Sequence, residues 1–332
     1  MVIYNATSKM NPDETAGTRS CALPACMVVE AAGAFYMAES PDGTIYRCRT
    51  IPLTKTENEG TSLVAVGDMV LLRLSPGEGA VPEAVIVTVL RRHSALCRKR
   101  DIRRNRSKEK VQVIAANIDQ LVVVSSAFDP PPNLRLIDRY LAFAESEQLE
   151  PLLVVNKADL DPMGDAVRSM ELYRDLGFRV LHLSAKKGAG MDRFLAALDG
   201  RVSAFSGHSG VGKSSLINRI LGQQLLTTSR TSIRTGKGVH TTSRSVMLRL
   251  PGGGHVIDTP GIREFSLSGI SRENLRFFFR EFLPLMPSCS FSSCSHTVEP
   301  GCAVRSAVST GLLHPSRYES YLALYEGLED GD

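Results

Sequence analysis

Between Ala25 and Arg92 the chain carries short apolar runs of β type broken by turn residues. ACMVVEAAGAFYMAE precedes Pro41-Asp42-Gly43, TIYRCRTI precedes Gly67-Asp68, MVLLRL precedes Pro76-Gly77, and EAVIVTVL closes the series. Four or five short strands in about 70 residues predict a small antiparallel barrel or sandwich, of which an oligonucleotide-binding barrel is one form. Further on, apolar runs alternate with helical stretches: IDQLVVVSSAF, a helix from about Asn133 to Leu149, PLLVV, a helix to Leu176, FRVLHLS, RVSAFSG, SVMLRL and HVIDTP. Continuous apolar strands between helices predict an α/β fold with a parallel sheet covered on both faces. Gly177 and Gly200 fall where left-handed helix caps belong. From Ser271 the pattern is helical again (SRENLRFFFREFLPLM), passes through a Cys/His-rich stretch and ends in a helix opened near Pro315. Residues 1–22 have no periodicity and read as a mobile tail. The expected division is therefore 1–22 tail, 23–110 barrel with a basic loop, 111–270 α/β domain and 271–332 helical module.

Composition narrows the class. In 332 residues, 43% are hydrophobic and 22% charged, which excludes a disordered or fibrous chain. No apolar run approaches the roughly 18 residues of a membrane span, and the N-terminus lacks a secretory layout, so a cytoplasmic protein without a membrane partner is expected. Seven cysteines are an odd number and too thinly spread for a disulfide framework, which fits a reducing compartment. Charge is uneven: the whole chain carries +4, yet residues 91–110 hold ten Lys or Arg against Asp101 and Glu109. Such a block implies disorder, a phosphate partner, or both.

The candidate chemistry sits at strand ends. Gly207-His208-Ser209-Gly210-Val211-Gly212-Lys213-Ser214 lies between the strand RVSAF and the helix SSLINRIL that continues at Ser215, the setting a P-loop requires. Its glycines let backbone N–H groups turn toward phosphates, Lys213 reaches the β- and γ-phosphates, and Ser214 Oγ would ligate Mg²⁺. Asn156-Lys157-Ala158-Asp159 follows PLLVV. The Asp159 carboxylate can accept from guanine N1–H and the N2 amine together, a pair adenine lacks, while Asn156 would hold the base edge and neighbouring loops and the Lys157 stem could cover the ring. Ser184-Ala185-Lys186 follows FRVLHL and would offer the Ala185 N–H to guanine O6. Asp258-Thr259-Pro260-Gly261 ends HVI: Asp258 would contact Mg²⁺ through water and the Gly261 N–H would sense the γ-phosphate. The polar stretch RTSIRTGKGVHTTSR between the P-loop helix and this motif should supply the threonine that closes over Mg²⁺, Thr242 in preference to Thr241. NKAD and DTPG alone are common turns; with the P-loop and Ser184-Ala185-Lys186 they describe a guanine nucleotide site.

Their order is permuted, because the Asn156 and Ser184 motifs precede the P-loop. With that order the sequence resembles the ribosome small-subunit-dependent GTPase A family, on AANIDQ, NKADL, SAKKG, GHSGVGKSSLIN, GVHTT, DTPGIREF and Cys289-x4-Cys294-x-His296-x5-Cys302. The resemblance implies an N-terminal oligonucleotide-binding barrel, a circularly permuted P-loop GTPase domain and a C-terminal zinc domain. It implies GTP hydrolysis to GDP and phosphate, slow alone and faster on the small (30S) ribosomal subunit, with rRNA contacts and a role in late subunit maturation. Three thiolates and an imidazole satisfy tetrahedral Zn²⁺ with no open position, a structural site; the alternative on composition is three reduced surface thiols. Ile262 follows the D-x-x-G motif, so no glutamine is available there to orient water, and the family points to His240 instead, giving a catalytic set of His240, Thr242 and Lys213. Nothing in the sequence suggests an obligate oligomer, and a monomer is expected. The rival readings are a P-loop ATPase, which has no use for Asp159, and an RNA-binding scaffold stabilised by nucleotide, which predicts no turnover.

Overall fold

The computed structural model describes residues 25–58, 61–75, 80–99, 111–222, 246–258 and 270–328. Five strands, β1 (Cys26–Ala32), β2 (Phe35–Glu39), β3 (Ile45–Thr56), β4 (Met69–Leu74) and β5 (Glu83–Val89), form a barrel in the order β1-β2-β3-β5-β4, closed by β4 pairing back to β1. All its pairings are antiparallel except β3 with β5. β1 is apolar on both faces for a reason the fold supplies. Cys26 and Val28 enter the barrel core with Ala38, Cys48, Val70 and Ile86, while Met27, Val29 and Ala31 pack on the core of the next domain.

The barrel leads into a two-stranded ribbon of β6 (Ala95–Lys99) and β7 (Val111–Ala116). The basic block expected as a loop thus has a strand at each flank; residues 100–110 lie outside the described residues. One of its cations is also withdrawn from solvent. The Arg92 side chain, 5% exposed, donates to Asp68 through Nε at 2.6 Å and Nη2 at 2.7 Å, to Thr61 Oγ1 and to the Ser62 carbonyl. Such a two-pronged buried pair is a structural clamp.

The second domain continues with β8 (Gln120–Ser126), β9 (Glu150–Asn156), β10 (Arg179–His182), β11 (Val202–Ser206), β12 (Val246–Arg249) and β13 (His255–Asp258), arranged β10-β9-β8-β11-β13-β12. All neighbours run parallel except β12 with β13. Among the described residues five helices cover it: α1 (Leu134–Ser146), α2 (Asp165–Ser169), α3 (Glu171–Asp175), α4 (Met191–Leu198) and α5 (Lys213–Leu221). Successive side chains of β8 go to opposite faces, Leu121 and Val123 toward α1 and α3, Val122 and Val124 toward α4 and α5. This is the expected two-faced sheet. Asn133 starts α1, its Oδ1 accepting the Leu136 N–H at 3.1 Å. The helix expected up to Leu176 is two short ones meeting at Met170. β12 also pairs with β1 at Glu30 and Val246, so one sheet of eleven strands runs through both domains.

The C-terminal module holds α6 (Ala303–Ser309) and α7 (Pro315–Glu326). SRENLRFFFREFLPLM is not the α-helix its pattern suggests but 3-10 turns, at Leu275–Phe278 and Met286–Ser288, with irregular links. Pro284 and Pro287 account for the end of this stretch, since each lacks an N–H and disfavours helical geometry in the residue before it. The turns bury Leu275, Phe279 and Phe282 against Tyr321, and Ala142 of α1 joins the same core. Arg317, 2% exposed, pairs with Asp138 of α1 at 2.6 Å and with Glu281 at 2.6 Å. The Tyr173 hydroxyl donates to Asp138 at 2.7 Å.

Candidate nucleotide site and metal centre

Three of the sequence motifs meet at the carboxyl ends of the parallel strands β9, β10 and β11, where ligands bind in open α/β sheets. β11 ends at Ser206, residues 207–212 turn, and α5 begins at Lys213 with Ser214 and Ser215 in its first turn. The turn needs glycine. Gly207 (φ +142°) passes so close to β8 that a Cβ would lie 2.1 Å from the Val124 carbonyl oxygen, and a Cβ on Gly212 (φ +95°) would lie 2.3 Å from Asn156 Nδ2. Lys213 Nζ donates to the carbonyls of Gly207 at 2.6 Å and His208 at 2.8 Å, which holds its charge across the mouth of the loop.

Asn156, buried at the end of β9, uses both ends of its amide. Nδ2 donates to the Val211 carbonyl at 3.0 Å and Oδ1 accepts the Ala185 N–H at 3.0 Å. It braces the P-loop against the Ser184-Ala185-Lys186 turn, so the Ala185 N–H, read as a donor to guanine, is engaged by Asn156. Lys157 adopts a left-handed conformation and sends Nζ to the Asp129 carbonyl. Asp159 is exposed in the turn after β9. The Ser184 hydroxyl, then the charges of Lys186 and Lys187, hold its carboxyl below the usual range, so an ionised acceptor faces solvent beside the buried Ser184. Asp258 closes β13, its backbone paired with Val246. His240, Thr242 and Gly261 lie outside the described residues. Next to the P-loop, a cavity of about 510 Å³ is walled by Gly207 and His208, by Pro130 and Ile137, and by Glu319 and Ser320 of α7. The module therefore reaches the neighbourhood of the loop.

The four expected metal ligands converge in that module. The sulfurs of Cys289, Cys294 and Cys302 and a nitrogen of His296 all lie within 4.8 Å of one another. His296 Nδ1 is 3.5 Å from Cys302 Sγ and 3.7 Å from Cys289 Sγ. A tetrahedral ion with sulfur and nitrogen bonds of about 2.3 and 2.0 Å would separate such atoms by about 3.5 Å, so the donor set fits. Burial pushes the Cys294 thiol up to about 12, and a divalent ion reverses that preference by binding the thiolate. Burial, then the nearby Arg276, holds the His296 imidazole neutral, the form that ligates. Its Nε2 is buried without a hydrogen bond, and the ring stands edge-on to Phe282 with centroids 5.7 Å apart. This cluster could hold a metal ion.

Sequence reading found the ligands but not their supports. The Tyr318 hydroxyl donates to the His296 carbonyl at 2.8 Å, the Tyr321 hydroxyl to the Ser295 carbonyl at 2.6 Å, and Arg276 to the Cys294 carbonyl at 2.7 Å. An aromatic pair in the last helix gives no sign of this role in the sequence.

Comparison with known proteins gives a consistent result. Residues 90–268 match the model of the RsgA GTPase family. The small ribosomal subunit biogenesis GTPase RsgA of Chlorobaculum parvum is 58% identical over 304 residues, covering 92% of this chain and 98% of the relative. The crystal structure of YjeQ from Thermotoga maritima superposes with a TM-score of 0.71 at 30% identity, covering 92% of this chain and 98% of that one. YloQ, a circularly permuted GTPase, shares the fold with a TM-score of 0.71 at 24% identity, over 94% of this chain and 97% of its own.

Proposed function

We propose, on the premise that this chain belongs to the RsgA GTPase family, that it hydrolyses GTP in the late maturation of the small (30S) ribosomal subunit, slowly alone and faster on the subunit. The observation that carries the reading is the Asn156 brace, which ties the phosphate loop to the base-reading loop across a permuted chain. In this reading Gly207–Ser215 hold the phosphates, with Lys213 compensating their charge, and Asn156, Lys157, Asp159 and Ser184–Lys186 form the guanine side. Ser214, Thr242 and Asp258 would hold Mg²⁺, which when bound neutralises the β- and γ-phosphate charge. Gly261 would sense the γ-phosphate, and His240 would position water in place of a glutamine.

Zn²⁺ is the metal we assign to Cys289, Cys294, His296 and Cys302, because a buried three-sulfur, one-nitrogen set suits a closed structural site. The barrel and the basic segment beyond Arg92 are assigned to phosphates of ribosomal RNA. The domain limits proposed are 22, 110 and 270, for a cytoplasmic monomer; among the described residues no helix is long and apolar enough to cross a membrane.

The test is phosphate release from GTP with and without purified small subunits, using Lys213→Ala as the control. Stimulation lost in the variant supports the reading, and unstimulated turnover rules out the ribosomal part. Asp159→Asn should move preference from GTP toward xanthosine triphosphate by at least about 10-fold, since a carboxylate that pairs with two donors discriminates strongly. An unchanged preference would remove Asp159 from the base site.

A further inference from the structure

Between Cys294 and Cys302 the chain makes a tight loop in which His296 has φ +61°, a left-handed conformation uncommon for a residue with a Cβ. Conformations of this kind persist where the surroundings over-determine them. Here Glu299 does much of that. Its Oε1 accepts the Ser295 N–H at 2.6 Å, and its Oε2 accepts the N–H groups of Thr297 and Val298, both at 3.2 Å. One carboxylate thus gathers the amides on both sides of His296, while Tyr321 and Tyr318 of α7 take the carbonyls of Ser295 and His296. Burial raises the Glu299 carboxyl, but the Ser295 hydroxyl and the loop amides outweigh it and hold it at about 2. The ionised form is the one gripped.

The loop is therefore shaped by groups that are not themselves ligands. The module also has an aromatic core, Phe279, Phe282 and Tyr321 with Leu275 and Leu313, which takes in Cys294 and Cys302 but not Glu299. Resting on the zinc reading above, we propose that Glu299 is the positioning residue of the metal centre. By fixing the amides of Ser295, Thr297 and Val298 it keeps His296 Nδ1 turned toward Cys289 and Cys302 before an ion arrives. It sets metal affinity more than module stability. Partners outside the ligand shell typically change metal affinity by about 10- to 100-fold when removed.

The experiment compares the full-length protein with Glu299→Ala, Glu299→Gln and His296→Ala. Zn²⁺ affinity is read by competition with a chromophoric chelator, Co²⁺ ligand-field bands report the ligand set, and melting is followed with and without metal. Glu299→Ala should keep the wild-type Co²⁺ spectrum yet bind Zn²⁺ about 10- to 100-fold more weakly. Glu299→Gln, which retains one acceptor oxygen, should fall between. His296→Ala should alter the spectrum itself. Equal Zn²⁺ affinity in wild type and Glu299→Ala overturns the proposal, whatever happens to the metal-free melting temperature. A wild-type protein that binds neither ion overturns the zinc reading and this inference with it.

Discussion

The C-terminal module meets the nucleotide sheet through side chains taken out of water, whereas the barrel meets it through strand pairing, apolar side chains of β1 and a half-buried ion pair. On the module side, Arg317 and Asp138 are 2% and 0% exposed, and Arg280 lies 3.8 Å over the Phe178 ring while donating to Glu145 of α1. On the barrel side, Glu39 reaches across to Arg249 and, at 3.4 Å, to His255, and the backbone junction is Glu30 with Val246. The two attachments also touch different machinery. The module sits on α1, which follows β8. The barrel sits on β12 and β13, the hairpin that follows RTSIRTGKGVHTTSR in the sequence and ends at Asp258.

The contrast can be broken by substitution. Arg317→Ala should have the largest effect, about 3–5 kcal/mol of stability, because it leaves the Asp138 charge buried without its partner. Chemical denaturation reads the loss and hydrogen exchange should localise it to α1 and α7; a loss under about 1 kcal/mol would mean the module is not held by this pair. Arg280→Ala removes a partly buried ion pair and a stacked guanidinium and should lower stability by about 1–2 kcal/mol. Glu39→Gln should change stability by less than about 1 kcal/mol, with an effect that shrinks as salt rises, yet it should alter small-subunit stimulation of phosphate release. Unchanged stimulation would separate the barrel clasp from turnover.

What the sequence showed, and what it hid, follows from distance along the chain. The loops at Asn156, Ser184 and Gly207 were legible because each directly follows its own strand, and the strand's apolar run announces it. The metal ligands fall within fourteen residues, from Cys289 to Cys302, close enough for spacing to speak. Arg92 was counted in the basic block because its partner Asp68 lies 24 residues earlier, behind a strand pair. Arg317 and Asp138 are 179 residues apart, beyond any local pattern. The Phe-rich segment from Ser271 was misread because apolar spacing of helical type also serves compact turns, and its prolines mark only where it ends. The Asn156 brace was anticipated in kind, but its use of Ala185 was not, since nothing in NKAD says which neighbour the amide will choose.

The central strand β11, which carries the phosphate loop, is flanked by β8 and β13. One flank is made early in synthesis and the other more than 130 residues later. As the chain emerges, the barrel strands, all upstream of residue 90, can close while the nucleotide sheet still lacks a neighbour. Non-local pairing of this sort forms late. The permutation thus places the phosphate loop after both base-reading loops in the order of synthesis, with every barrel strand upstream of all three.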